Sequence, residues 1–104
     1  MHRVIIESPY AGDTERNLRY ARAAMKDSLD RGEAPFLSHL LDDSLDHERH
    51  MGIEAGLSWM EKADAVLVYD DLGISSGMKY GITRAAELGM KILFCSIPNW
   101  ESEP

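Results

Sequence analysis

Short apolar runs alternate along the chain with longer stretches of helical apolar spacing. The runs are rich in aliphatic and aromatic residues and stop at polar or turn-forming residues, which is typical of buried strands. They are residues 3–7, 35–41, 65–69 and 90–95. The helical stretches are residues 14–32, 46–62 and 76–89. This alternation predicts a small parallel sheet of four or five strands with helices on both faces, an α/β fold of Rossmann-like or flavodoxin-like type.

The first helical stretch has both a start and a stop signal. Asp13 or Thr14 can cap it, and Gly32 can end it. An apolar stripe at helical spacing is expected to face the core and consists of Leu18, Ala21, Met25 and Leu29. The basic residues on its other faces are expected to be solvated, although Arg16 is close enough to the helix start to reach an anion held near Ser8.

Two further segments are predicted from their apolar residues. In residues 46–62 the apolar positions form more than one stripe around the predicted helix. This predicts a helix that is buried on two sides, with a partner subunit packed against one of them. The tail, residues 96–104, holds two prolines and Trp100, which we expect to be exposed, in a segment that packs loosely or covers a neighbour.

Length and charge narrow the function. At 104 residues the chain is expected to be one domain, residues 1–104. A net charge of −7 argues against a nucleic-acid polymer as partner, because that requires a basic face. The lone Cys95 excludes an internal disulfide and fits a reducing compartment, so a cytoplasmic location is expected. No apolar run reaches membrane-spanning length and the N-terminus lacks a signal-peptide pattern.

No cofactor or metal is predicted. The acidic segment at residues 42–46 lacks the glycine and the terminal glutamate of a calcium loop. His47 and His50 lack the spacing of a zinc-binding helix.

The strongest candidate site follows the third apolar run. Asp70 and Asp71 come directly after it, and a loop containing Ser75, Ser76 and Gly77 leads into the next helix. Ligands of open parallel sheets bind beyond the carboxyl ends of the strands, and a helix start suits a phosphate or carboxylate. The alternative is that the two acids are solvated loop residues and that Ser75 or Ser76 is only an N-cap.

A second group of polar residues follows the other strands. Ser8 and Tyr10 lie in the turn-forming segment after the first strand. His39 lies beside leucines in the segment after the second strand, where it is either an acid–base or polar contact group or a structural histidine.

Several segments in order resemble the nucleoside 2-deoxyribosyltransferase-like superfamily, within a small bacterial and phage branch. They are Ser8-Pro9-Tyr10 with Gly12-Asp13, Glu15-Arg16-Asn17, Pro35-Phe36 to His39-Leu40, Ala63-Asp64, and the Asp70–Met78 loop. The resemblance covers most of the chain. It implies cleavage or transfer of the N-glycosidic bond of a nucleoside or nucleotide by a homodimer or higher homo-oligomer.

The resemblance also implies roles for individual residues. Tyr10 would hold the nucleophile and the sugar, and Asp70 or Asp71 would contact the base or a sugar hydroxyl. Ser75, Ser76 and Gly77 would hold phosphate or sugar oxygens.

One position departs from the family pattern. The family nucleophile, a glutamate two residues after the loop glycine, is matched here by Lys79. Because a lysine would oppose a cationic transition state, either another acid acts or the reaction is lost. The candidate acids are Asp70, Asp71, Glu7 and Glu54. The alternative function is a non-catalytic nucleotide-binding module, in which Lys79 reinforces anion binding.

Overall fold

The protein is described by a computed structural model that covers residues 2–37, 55–56 and 58–102. Its centre is a sheet of four parallel strands in the order β2-β1-β3-β4. The strands are β1 (Arg3–Glu7), β2 (Ala34–Leu37), β3 (Ala65–Tyr69) and β4 (Lys91–Cys95). Every residue of β3 is buried, as expected for an interior strand covered on both faces. The predicted parallel α/β fold is confirmed.

Helix α1 (Thr14–Asp30) follows β1 and begins where the sequence indicates. The Asp13 side chain accepts a hydrogen bond of 3.1 Å from the backbone N–H of Arg16, so Asp13 is the N-cap. Helix α2 (Ser76–Glu87) joins β3 to β4. Its N-cap is Ser75, whose Oγ accepts from the N–H of Met78 at 3.2 Å, and it ends before Gly89, whose φ of +70° favours glycine.

The predicted core stripe of α1 is partly wrong. Leu29 is 52% exposed, and the buried residues of α1 are Asn17, Tyr20, Ala21, Ala24 and Ser28. Small side chains on this face let the helix backbone approach the sheet closely. The long Tyr20 side chain can be buried there because its hydroxyl group has polar partners beyond the end of β3.

Two apolar clusters lie on opposite faces of the sheet. On the α1 face the cluster includes Ile6, Tyr20, Leu67 and Trp100. On the α2 face it includes Ile5, Val68, Met78 and Ala85, together with Met60 from a helical stretch at residues 58–60. The two sets alternate along each strand because successive side chains point to opposite faces. The other residues of the predicted 46–62 helix lie outside the described part, except for residues 55–56 and 61–62.

The prediction of an exposed Trp100 is wrong. Its side chain is only 9% exposed and meets the Tyr20 ring edge-on, with the ring centroids 5.2 Å apart. A short 3-10 helix, Trp100–Ser102, carries it. The chain after β4 therefore covers the α1 face of the sheet. Within the described residues, no helix is both long and apolar enough to cross a bilayer.

Candidate functional site

The carboxyl ends of β1 and β3 form the centre of the candidate site. The chain leaves β1 for β2 on one side, whereas β3 pairs with β1 on the other, so the strand order switches between these two strands. Ligands of open α/β sheets bind at such a switch point. Glu7 is the last residue of β1, and Ser8 follows it. Glu7 is in register with Val68, which lies two residues before Asp70. The predicted acids and Ser8 therefore share one edge of the sheet.

Asp71 joins three parts of the fold at this edge. Its Oδ2 accepts hydrogen bonds from the Tyr20 hydroxyl at 2.7 Å and from the Ile97 N–H at 2.8 Å. Its Oδ1 accepts from the Ser96 hydroxyl at 2.6 Å. Burial alone would raise the pKa of this carboxyl group, but these hydrogen bonds outweigh it and lower the pKa below its ordinary value. Asp71 thus ties β3 to α1 and to the chain after β4, and its predicted catalytic role stays a prediction.

Removing the Tyr20 hydroxyl tests this junction. Tyr20→Phe should lower the free energy of unfolding by about 1–3 kcal/mol, because it removes one of three donors to the half-buried Asp71 carboxylate and leaves the Asp71 N–H without its acceptor. The Tyr20 hydroxyl donates to the carboxylate and also accepts from the Asp71 N–H at 2.9 Å. Urea denaturation measures the change, and Tyr80→Phe, on an exposed tyrosine, should leave stability nearly unchanged. Equal effects of the two variants would contradict the assignment.

The same variant has a defined pH dependence. Because the folded pKa of Asp71 is lowered, its charged form contributes stability above the unfolded carboxyl value of about 3.9. That contribution is lost as the pH falls through the folded value. The difference in stability between wild type and Tyr20→Phe should therefore narrow below about pH 4.

Glu7 packs its carboxylate against α2. A Cβ atom added at Gly81 would lie 2.3 Å from Oε2 of Glu7 and 2.7 Å from its Cδ. Such distances are shorter than any real contact, so the carboxylate occupies the space that a side chain at position 81 would use. Glu7 is only 8% exposed. From the sequence alone, Glu7 was included only among the acids that could replace the family nucleophile. Its position at the end of an apolar strand was the feature of the sequence that could have singled it out.

The start of α2 lies at the same edge. The first N–H groups of a helix have no partner within it, and its N-terminus carries partial positive charge. Ser75 is the N-cap of α2, and its ligand-binding role stays a prediction. A Cβ atom added at Gly77 would meet no atom within 4 Å, so the helix face one turn before Gly81 is open. Lys79 is exposed and lines a groove together with Ser76 and Arg84; the lining of this groove includes neither Glu7 nor Asp70.

The other predicted site residues are placed as follows. Ser8 is buried and Tyr10 is half-buried, in a loop that Asn17 holds through 3.0 Å hydrogen bonds from Nδ2 to the carbonyls of Tyr10 and Ala11. Arg16 pairs with Glu101 at 3.0 Å and lies over the Trp100 ring, 5.5 Å from its centroid. Its guanidinium is thus directed to the tail. His39 lies outside the described residues.

The described residues were compared with the requirements of a metal site and of a reactive thiol. Among the residues that the structure describes, no group of three or more His, Cys, Asp or Glu side chains could hold a metal ion. Cys95 is half-buried, and burial raises the pKa of its thiol, which disfavours the reactive thiolate.

The chain matches a known family model. A family model described as a domain of unknown function, DUF7768, matches residues 2–95. The match spans β1 to β4, α1 and α2, and it ends before the tail. No curated protein matches the chain.

Proposed function

The chain belongs to the DUF7768 family, whose function is unknown, and from the geometry of its site we propose that it cleaves or transfers the N-glycosidic bond of a nucleoside or nucleotide. The observation that carries the proposal is the Glu7 carboxylate, buried against Gly81 at the switch point of the sheet. It supplies a carboxylate at the ligand-binding edge even though the expected nucleophile position is Lys79. Glu7 is the non-standard carboxylate of this proposal.

In the proposed reaction Glu7 attacks the anomeric carbon of the sugar. The carbon–nitrogen bond breaks, its electron pair goes to the base, and the base takes a proton from a water molecule, which becomes hydroxide. A glycosyl ester of Glu7 results, as in retaining glycoside cleavage. A second water molecule then attacks the same carbon, the bond to Glu7 breaks, and one proton of this water neutralises the hydroxide left by the first step. A second base in place of water gives transfer instead of hydrolysis.

The remaining residues of the edge would hold the substrate. Asp70, two residues beyond the register partner of Glu7, would accept a hydrogen bond from a sugar hydroxyl or the base. Ser75, Ser76 and Gly77 at the start of α2 would bind sugar or phosphate oxygens. Because Asp71 is held by Tyr20, Ser96 and Ile97, its part in this proposal is to fix the loop that carries Asp70.

The direct test is chromatography of free base. Purified protein is incubated with deoxynucleosides, ribonucleosides and their monophosphates, and base release is followed over time. We expect release from at least one substrate and loss of release in Asp70→Asn. If every substrate is recovered intact, both as a single substrate and in mixtures with a second base, the proposed activity is wrong.

A second candidate function is a non-catalytic nucleotide-binding module. The exposed Lys79 in the first turn of α2 favours it, because a cation there adds to the positive end of the helix. Binding of a nucleotide without base release, together with loss of binding in Lys79→Glu, would support this candidate over the first.

The proposal includes a homodimer or higher oligomer in the cytoplasm. Strand β4 at the end of the sheet supports an oligomer, because Leu93 and Phe94 are exposed, Phe94 by 61%. Strands of parallel sheets are ordinarily covered on both faces. The single cysteine supports a reducing compartment.

A further inference from the structure

A groove of about 550 Å3 lies between α1 and the chain after β4. One wall is the side of α1 that carries Arg19, Arg22 and Lys26, and the other is the segment from Ile97 to Glu101. The α1–tail groove lies on the α1 face of the sheet, whereas Glu7 contacts α2 on the opposite face. It is therefore a separate site, and its volume is in the range of small-molecule sites, about 300–1,000 Å3.

The floor of the groove is apolar and held in place. Ala23, Ile97 and Trp100 pack on the core cluster of this face. The Ile97 N–H is bound to Asp71, and Trp100 packs against Tyr20. A flat apolar group would therefore meet a preformed surface.

Most of the charged side chains that line the groove are held in ion pairs, but two arginines are not. Lys26 pairs with Asp30 at 2.9 Å, Asp27 pairs with Arg31, and Glu101 pairs with Arg16. Within the described part of the chain, Arg19 and Arg22 have no ion-pair partner. At a spacing of three residues on one helix, their side chains are neighbours. The three acids that line the groove are each held in an ion pair, so the two arginines are the lining charges that remain for an anionic ligand.

We propose that the α1–tail groove binds a small phosphate monoester that carries a flat apolar group. A phosphate monoester bears nearly two negative charges at neutral pH, which two guanidinium groups match in both charge and hydrogen-bond donors. The apolar group lies on Ala23, Ile97 and Trp100. In a protein of net charge −7, this pair of arginines is a local source of attraction for such a ligand.

The test is a titration followed by protein NMR, with phenyl phosphate as the probe. Phenyl phosphate has no N-glycosidic bond, so the result is independent of the proposed activity. The chain has two tryptophans, and Trp59→Phe assigns their indole N–H signals. We expect the Trp100 signal to shift saturably, while that of Trp59, which is exposed and stacks on Phe36, stays in place.

Variants and matched ligands decide the outcome. The double variant Arg19→Ala/Arg22→Ala should weaken binding at least tenfold, whereas Arg84→Ala on α2 should not change it. Phenol and inorganic phosphate should each bind at least tenfold more weakly than phenyl phosphate. Absence of a Trp100 shift, equal binding by the arginine variant, or equal binding of inorganic phosphate would each overturn the proposal.

Discussion

Glu7→Gln is expected to lower the rate of base release by about a thousandfold or more, with the fold retained. Glutamine has nearly the shape of glutamate but cannot act as a nucleophile or stabilise a cationic sugar. Because its side chain fills the same space against Gly81, packing should change little. The measurement is the steady-state rate of base release for the best substrate, with circular dichroism as a check on folding.

Glu87→Gln is the matched control for this change. Glu87 lies at the end of α2, is exposed, and is 3.9 Å from Arg84. Its substitution removes one negative charge without touching the carboxyl edge, so activity should remain close to that of the wild type. Retention of activity within tenfold in Glu7→Gln would show that Glu7 is not the reacting carboxylate.

Rescue by a small anion gives a second test of Glu7. In Glu7→Ala the carboxylate and its stem are removed, which leaves space beside Gly81. Added sodium formate can place a carboxylate in that space and should restore part of the lost rate. A merely structural role for Glu7 predicts no recovery with formate, because no reacting group is replaced.

Gly81→Ala is expected to lower activity by about a hundredfold, because it displaces the Glu7 carboxylate by roughly an ångström. The added Cβ would lie 2.3 Å from Oε2, and the flexible end of the glutamate is the part that can move. Ordinarily this substitution inside a helix stabilises a protein by about 1 kcal/mol. Here displacement of a buried carboxylate offsets that gain, so we expect no increase in stability. Base release and urea denaturation measure the two effects.

A double-variant cycle isolates the contact between these two residues. In a Glu7→Ala background there is no carboxylate to displace, so Gly81→Ala should recover its ordinary stabilisation of about 1 kcal/mol. The same stabilisation in the wild-type background, with unchanged activity, would contradict the close packing of Glu7 on Gly81.

The sequence was sufficient for the four described strands and for α1 and α2, in the order in which they follow one another along the chain. The apolar runs predicted the four strands, and the signals at Asp13, Gly32, Ser75 and Gly89 placed the ends of α1 and α2 correctly. These features depend on residues close together in the chain, such as a cap and the N–H three residues later. They can therefore be found without knowledge of the fold.

The positions of single side chains depended on contacts across the chain. Trp100 is part of the core because it meets Tyr20, eighty residues earlier. Asp71 is bound by Tyr20 and by the chain after β4, which no local pattern indicates. For the same reason the core face of α1 was only partly predicted: Ala21 is buried and Met25 packs against the core, whereas Leu29 is exposed.

By itself the sequence determined a parallel α/β domain with acids and a helix start at the carboxyl edge, because strand periodicity and caps are local properties. Only the tertiary structure decided which acid lies in contact with α2. Glu7 and Gly81 are far apart in the chain, and their contact arises because β1 lies at the centre of the sheet beneath α2. The space left by Gly81 on the helix is filled by the Glu7 carboxylate only in the folded protein.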